Sequence, residues 1–314
     1  MSVAMRLVAG AALALLAAGA ARAVPPGRAS FTAAATCEFR ALGAQHPDPK
    51  LRNRDTLAGR LCPAQLLPRE YEAARDVIDL DPEAYAGFFY VNARTRYIDA
   101  RLEEALARGA AQVVVLGAGF DSRAYRFHDA HPGVAFFEVD LPATIEAKRR
   151  ALERALGAVP AYARLVPLDF DTQTLDGALG GAGYDPAAKT FFVLEGVTMY
   201  VSAPGIGATL DFIGHHAAAG SSVVYDYILR QVAEGRYEGL YAARKEALGV
   251  ARSGEPFVTG WTPAEAAAFA AQHGLAVRED LDAAALAHGY LTGSDGKPDG
   301  RIPEWYRIID AEVR

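Results

Sequence analysis

The residues best suited to chemistry lie in one run, Gln112–Arg126, QVVVLGAGFDSRAYR. A β-branched, apolar stretch leads directly into Gly117-Ala118-Gly119, a tight turn over which a ligand can approach the backbone closely. About twenty residues later a second apolar stretch ends in Glu138-Val139-Asp140, the spacing at which nucleotide-binding units set an acid against ribose hydroxyls. An adenosine-bearing ligand fits this pattern. A dinucleotide would place its diphosphate at the helix N-terminus and usually requires a third glycine. Here that position is Ser122, preceded by Asp121. A carboxylate in the turn repels a diphosphate, although Arg123 weakens the effect. S-adenosylmethionine has no phosphate and carries a sulfonium and an amino group, so acids around its turn are favourable. The electrostatics therefore favour S-adenosylmethionine. An NAD(P)-dependent oxidoreductase on a similar sheet, and a plain α/β turn in which Asp121 caps the next helix, stay open as alternatives.

Other titratable residues sort by their surroundings. An acid ending a buried strand is costly without a partner, which marks Asp140 and also Glu195, directly after Phe191–Leu194. His128 and His131 stand beside Pro132 without a further ligand, as in a surface loop, and His215-His216 read as an exposed helix end. Lys148-Arg149-Arg150 read as a solvated helix face. No metal site, Cys-His pair or Ser-His-Asp set is expected.

The elements that must hold these residues follow from periodicity. Gln112–Leu116, Ala135–Val139, Arg164–Leu168, Phe191–Leu194 and Ser222–Tyr225 are short apolar runs of the kind found in strands buried on both faces. Helical stretches at Leu141–Leu156, Thr172–Leu179 and Pro204–Ala218 separate them, the alternation of a doubly wound parallel sheet. Upstream, Asn53–Leu61 has apolar residues at helical spacing, Asp81-Pro82 reads as an N-cap and first turn, and a longer helix is predicted over Asn92–Arg108, ended by Gly109. A polar helical insert spans Leu229–Arg252. Thr262, Pro263 and Glu265 form a capping pattern for a helix reaching His273, and late strands are predicted at Ala276–Glu279 and Tyr306–Ile309.

Composition sets the frame. Of 314 residues, 51% are hydrophobic and 22% charged, which excludes a disordered chain. Two cysteines exclude a disulfide framework, and a net charge of −6 argues against a nucleic-acid or anionic-membrane binder. Met1–Ala23 has the layout of a secretory leader: Arg6, an apolar run, then Ala21-Arg22-Ala23. It is short for a stable membrane span. The leader points to export or a tether, whereas a cofactor made in the cytosol points to the cytoplasm. Cys37 and Cys62 would pair in an exported chain and stay reduced otherwise. The expected organisation is a leader over 1–23, a helical cap over 24–108 and a cofactor-binding domain over 109–314, with the insert at about 229–260.

Taken together, several blocks resemble one family. Arg94-Thr95-Arg96-Tyr97-Ile98-Asp99, Leu116 through Arg123, Phe137-Glu138-Val139-Asp140-Leu141-Pro142 with Lys148, Leu168-Asp169-Phe170 and Glu195-Gly196-Val197-Thr198-Met199-Tyr200 are similar in order and spacing to class I S-adenosylmethionine-dependent methyltransferases. The likeness is to the leucine carboxyl methyltransferase family, in its bacterial polyketide O-methyltransferase-like branch. The resemblance implies a mostly parallel seven-stranded, Rossmann-like α/β sheet with an α-helical cap. It implies that Gly117 and Gly119 underlie the methionine part of the cofactor, with Asp121 in the same turn, and that Asp140 holds the ribose. It further implies that Asp169 and Phe170 flank the adenine and that Glu195 faces the transfer site. Arg94 would reach the cofactor or a substrate carboxylate through its forked donors, with Arg96 and Arg101 as rivals for the inward position, and Tyr200 would stand beside the acceptor. The third-strand block departs from the family, reading Asp169-Phe170-Asp171 where a leucine and a basic residue are commoner after the acid. The implied reaction is O-methylation of a carboxylate or hydroxyl on a small molecule or peptide terminus. A non-catalytic binding module is the remaining alternative.

Overall fold

Runs of Val, Phe and Leu without polar alternation call for cover on both faces. Four of them, with the partly exposed edge run β3 (Ala163–Pro167), form parallel strands: β1 (Gln112–Leu116), β2 (Ala135–Asp140), β3, β4 (Thr190–Leu194) and β5 (Ser222–Ile228). Two more, β6 (Leu275–Asp282) and β7 (Tyr306–Val313), complete one sheet in the order β3-β2-β1-β4-β5-β7-β6, with β7 antiparallel to both neighbours. This computed structural model describes residues 30–63, 66–170 and 172–314, and the leader expected over 1–23 lies outside the described residues. Alternate strand residues feed two cores: Val113, Val115, Phe191 and Val193 on one face, Val114, Leu116, Phe192 and Leu194 on the other.

Helices α5 (Arg123–Phe127), α6 (Pro142–Leu156), α7 (Leu175–Gly181) and α8 (Ala203–His216) connect the parallel strands. Before the sheet come α1 (Phe31–Gly43), α2 (Ala58–Leu61), α3 (Tyr71–Leu80) and α4 (Ala86–Ala107). After β5 come α9 (Arg230–Ala233), α10 (Ala243–Ser253), α11 (Pro263–Gln272) and, following β6, α12 (Ala283–Tyr290). The expected capping box is present on α11: Thr262 accepts from the Glu265 N–H, and the Glu265 carboxylate accepts from the Thr262 N–H.

Several expectations need correction. Helix α4 begins at Ala86 instead of Asn92, because Phe88, Phe89, Tyr90 and Val91 are all buried and four successive apolar residues conceal a helical period. Asp81 does not open a helix. It follows the end of α3 and accepts from the Ala84 N–H in a turn. Within Asn53–Leu61 only Ala58–Leu61 is helical, since Asn53 and Asp55 accept backbone N–H groups locally and so compete with the helix. Helix α12 was not expected; Asp282 caps it through the Ala285 N–H. Cys37 and Cys62 form a disulfide that ties α1 to the end of α2. His128 stacks on Tyr162 with ring centroids 3.5 Å apart, so it is packed and not free in a loop.

Lys148 is the largest departure. It is fully buried and not on a solvated face: its Nζ lies 2.7 Å from the equally buried Glu138, which also accepts from the Tyr125 hydroxyl at 2.6 Å. This pair locks α6 and α5 to β2. Removing one member strands a buried charge, so Lys148→Met should cost about 3–5 kcal/mol in urea unfolding. Adding Glu138→Gln, which can still accept from Tyr125, should recover more than half. An equal loss in single and double variants would contradict the pairing.

Candidate functional site

Strand order reverses between β1 and β4, which opens a crevice at the carboxyl ends of the parallel strands. Register places the candidate residues along it. Leu116 pairs with Val139, so Gly117 emerges beside Asp140. Leu194 pairs with Tyr225, so Glu195 stands level with Asp226. Gly117 has φ +69°, and a Cβ there would come within 2.3 Å of Val197. No other residue fits. Gly119, at φ +45°, lies under Ala33 of α1, whose methyl would be 3.0 Å from an added Cβ. Asp140 accepts the Gly119 N–H through Oδ2 and the Leu141 N–H through Oδ1, both at 2.6 Å. Burial nevertheless pushes its pKa above the ordinary value.

Gly117, Gly119, Asp121, Asp140, Asp169, Phe170, Glu195, Arg94 and Tyr200 all line one cavity of about 680 Å³. Sequence reasoning thus brought together residues from five segments. Helix α1 roofs the cavity, and Glu255, after α10, fastens it. Its carboxylate accepts from the Phe31 N–H at 2.6 Å, the Thr32 N–H at 3.1 Å and the Ser30 hydroxyl at 3.1 Å. An anion at that helix start also suits its dipole.

Behind the crevice runs a continuous chain of ion pairs. Arg40 meets Asp55 at 2.8 Å, and Arg126 reaches Asp55 at 3.8 Å and Asp99 at 2.8 Å. Arg123 bonds Asp99 at 2.8 Å, Glu195 at 2.6 Å and Asp121. Arg94 then joins Glu195 at 3.1 Å to Asp226 at 2.5 Å. Four guanidiniums face five carboxylates, leaving one negative charge in excess. Burial alone would raise the Glu195 pKa, but Arg123 and Arg94 outweigh it and hold the carboxyl well below the ordinary range.

This arrangement defines the surroundings of Arg94. It is the inward arginine of its segment, whereas Arg96 bonds the carbonyls of Tyr290 and Lys50 and Arg101 pairs with Glu104. The Nε and Nη1 of Arg94 are committed to Glu195 and Asp226, so an acceptor carboxylate would not find the whole fork free. Asp121 likewise stands neutralised by Arg123.

Sequence reasoning missed the far end of the cavity. Tyr90, Tyr306 and Glu246 line it with Tyr200. Tyr90 stacks on Tyr306 at 3.9 Å and donates to Asp226 at 2.9 Å. Tyr306 donates to Oε1 of Glu246, while Oε2 is buried without a partner. Burial lifts the Glu246 pKa to about 7 against the pull of the Tyr306 hydroxyl and Arg94.

Removing Arg94 would leave the fully buried Asp226 without a counter-charge, with only the Tyr90 hydroxyl and the Gly196 N–H donating to it. Arg94→Met should therefore lower stability by about 3–5 kcal/mol near neutral pH. Glu195 is depressed in the fold, so its share of stability is present above the ordinary glutamate range and lost as pH falls through its folded value. The gap between wild type and Arg94→Met in chemical denaturation should accordingly narrow on acidification, and a gap constant with pH would exclude the ion-pair account.

A family model described as leucine carboxyl methyltransferase matches residues 33–214, more than half of the chain. A Frankia alni protein with the provisional name of an S-adenosyl-L-methionine-dependent methyltransferase is 37% identical over 150 residues, covering 48% of this chain and 51% of that protein. A Streptomyces coelicolor protein with the same provisional name is 36% identical over 205 residues, covering 63% and 69% respectively. The matched region therefore spans about half to two thirds of these relatives. Among solved structures, an O-methyltransferase from neocarzinostatin biosynthesis, in complex with S-adenosyl-L-homocysteine and 1,4-dihydroxy-2-naphthoic acid, is 19% identical. It has a TM-score of 0.40, covering 76% of this chain and 61% of that one. By sequence, with the glycine turn and strand-end acids in register, the chain belongs to the leucine carboxyl methyltransferase family.

Proposed function

We propose that this protein transfers a methyl group from S-adenosylmethionine to an oxygen, a carboxylate or hydroxyl, of a small-molecule or peptide-terminal acceptor. The observation that carries the reading is Asp140 at the mouth of the Gly117–Gly119 turn. Two of its lone-pair sites hold backbone N–H groups and the Thr144 hydroxyl also bonds it, which leaves a carboxylate with capacity to accept from a ribose hydroxyl. The turn is closed to any side chain but open to a ligand. The single negative excess of the ion-pair chain complements a cofactor whose sulfonium and ammonium outnumber its carboxylate. These features fit the cofactor better than a diphosphate.

In this reading Gly117, Gly119 and Asp121 receive the methionine part, Asp140 the ribose, and Asp169 with Phe170 the adenine. The cofactor supplies an electrophilic methyl group. The protein supplies alignment, which alone is worth a large share of the acceleration, and α1 with its Glu255 clasp excludes water. Glu195, kept ionised by Arg94 and Arg123, gives the transfer site a fixed negative wall.

Calorimetry with S-adenosylhomocysteine should show binding and NAD should not bind. Asp140→Ala should weaken S-adenosylhomocysteine binding about 10–100-fold, the worth of a charged hydrogen bond of about 1.5–3 kcal/mol. Because the Asp140 pKa is raised, wild-type affinity should begin to fall with acidification above the pH at which an ordinary aspartate protonates. Absence of binding, or an Asp140→Ala variant that binds as well as wild type, would refute the assignment.

A further inference from the structure

The cavity has a pair of polar groups that the glycine turn and Asp140 do not account for. Pro167 of β3 pairs with Asp140, and the Leu168 N–H donates to the Asp140 carbonyl at 2.8 Å. The loop after β3 therefore starts beside the acid assigned to the ribose. Asp169, Phe170, Thr172 and Gln173 of that loop all line the cavity. Gln173 holds Asp169 twice. Its N–H donates to the Asp169 carbonyl at 2.9 Å, and its Oε1 accepts the Asp169 N–H at 3.0 Å. A backbone N–H can only donate, so this bond fixes which end of the amide is oxygen. The NH2 end is left over, and Nε2 has no hydrogen-bond partner among the described residues. A carboxylate at 169, which can only accept, and an amide donor at 173 thus share one loop with the Phe170 ring.

We infer that Gln173 selects the base of the cofactor, its Nε2 donating to the adenine N1 while Asp169 accepts from the exocyclic amine. The inference rests on the proposed S-adenosylmethionine reading and adds to it a residue that sets base specificity. Along its pairing edge adenine presents a donor, the 6-amino group, beside an acceptor, N1. A carboxylate beside an amide NH2 offers the matching acceptor and donor. Hypoxanthine presents the reverse, a carbonyl oxygen beside an N1–H donor, so both bonds become contacts between like groups. A site built to hydrogen-bond one pattern rejects an analogue that leaves its polar groups unpaired. Gln173 has two separable parts in this scheme: Oε1 and the main-chain N–H hold the loop, and Nε2 meets the base.

The test is calorimetry on the full chain with S-adenosylhomocysteine and S-inosylhomocysteine, which differ only along that edge of the base. Failure of wild type to bind S-adenosylhomocysteine would sink the cofactor reading itself. Wild type should bind it about tenfold or more tightly than the inosine compound. Gln173→Glu keeps a side-chain oxygen for the Asp169 N–H, so the loop stays held, but it replaces the free donor with an acceptor. Near neutral pH it should bind S-adenosylhomocysteine about tenfold less tightly than wild type and lose most of the preference. A protonated carboxyl can donate again. The ratio of wild-type to Gln173→Glu affinity should therefore shrink as the pH is lowered toward the glutamate range, and taking the ratio cancels the contribution of Asp140. Gln173→Met, which has neither group, should lower the preference about three- to tenfold. Gln173 is exposed, so both variants should match wild type in urea unfolding. A glutamine that only props the loop gives a different pattern, in which Gln173→Glu binds like wild type and Gln173→Met weakens both compounds by one factor. That pattern, or a wild type with no preference for the adenine compound, would overturn the inference while leaving cofactor binding intact.

Discussion

The site depends on a buried row of alternating arginines and carboxylates. Arg40 on α1, Asp55 before α2, Asp99 and Arg94 on α4, and Arg123 and Arg126 on α5 connect to Glu195 after β4 and Asp226 on β5. Ionic groups in such a place gain little over well-packed apolar residues, because desolvation offsets their attraction. Removing one of them is a different matter, since its partner then remains charged and unsolvated. The row therefore acts less as a source of stability than as a constraint on position. The helices before the sheet must sit at one height over the strand ends, or several charges lose their partners together.

That constraint shapes the cavity. Glu195 is fixed from both sides, so the wall nearest the glycine turn is rigid and ionised without any ligand. Electrostatic preorganisation of this kind costs no rearrangement when charge moves during reaction. Sulfur loses its positive charge in methyl transfer, so a wall that stabilised the cation strongly would oppose the reaction. Here Arg94 and Arg123 temper Glu195, and the excess over the whole row is a single negative charge. In the proposed reading, this arrangement would hold the cofactor while leaving the methyl group reactive.

Strand-dominated features were legible in the sequence because they depend on local rules. Val113–Leu116 and Phe191–Leu194 are apolar without interruption, and the parallel register that brings Gly117, Asp140 and Glu195 to one edge follows from short right-handed connections. The Thr262 cap was legible for the same reason. What could not be read came from tertiary contacts. Lys148 occupies a helix rich in charge, and only its fully buried partner Glu138 explains its inward position. The commitment of Arg94 depends on Asp226, a residue within an apolar strand. The rule that marked Asp140, that an acid in a buried strand needs a partner, applies equally to Asp226 and would have found it. Glu246 and Tyr306 gave no such signal, since α10 is amphipathic and exposed on one side, and the two meet only after β7 returns beside β5.

Glu195 and Glu246 show how one side chain takes opposite roles in one cavity. Both are withdrawn from water, and withdrawal by itself raises a carboxyl pKa. Glu195 has two guanidiniums in contact and stays ionised. Glu246 has a single neutral hydroxyl donor and stays poised to gain or lose a proton. Paired titratable groups whose surroundings drive them apart are the usual basis for dividing fixed charge from proton transfer. The division here runs along the cavity, with the fixed charge beside the cofactor turn and the exchangeable proton beside the apolar wall.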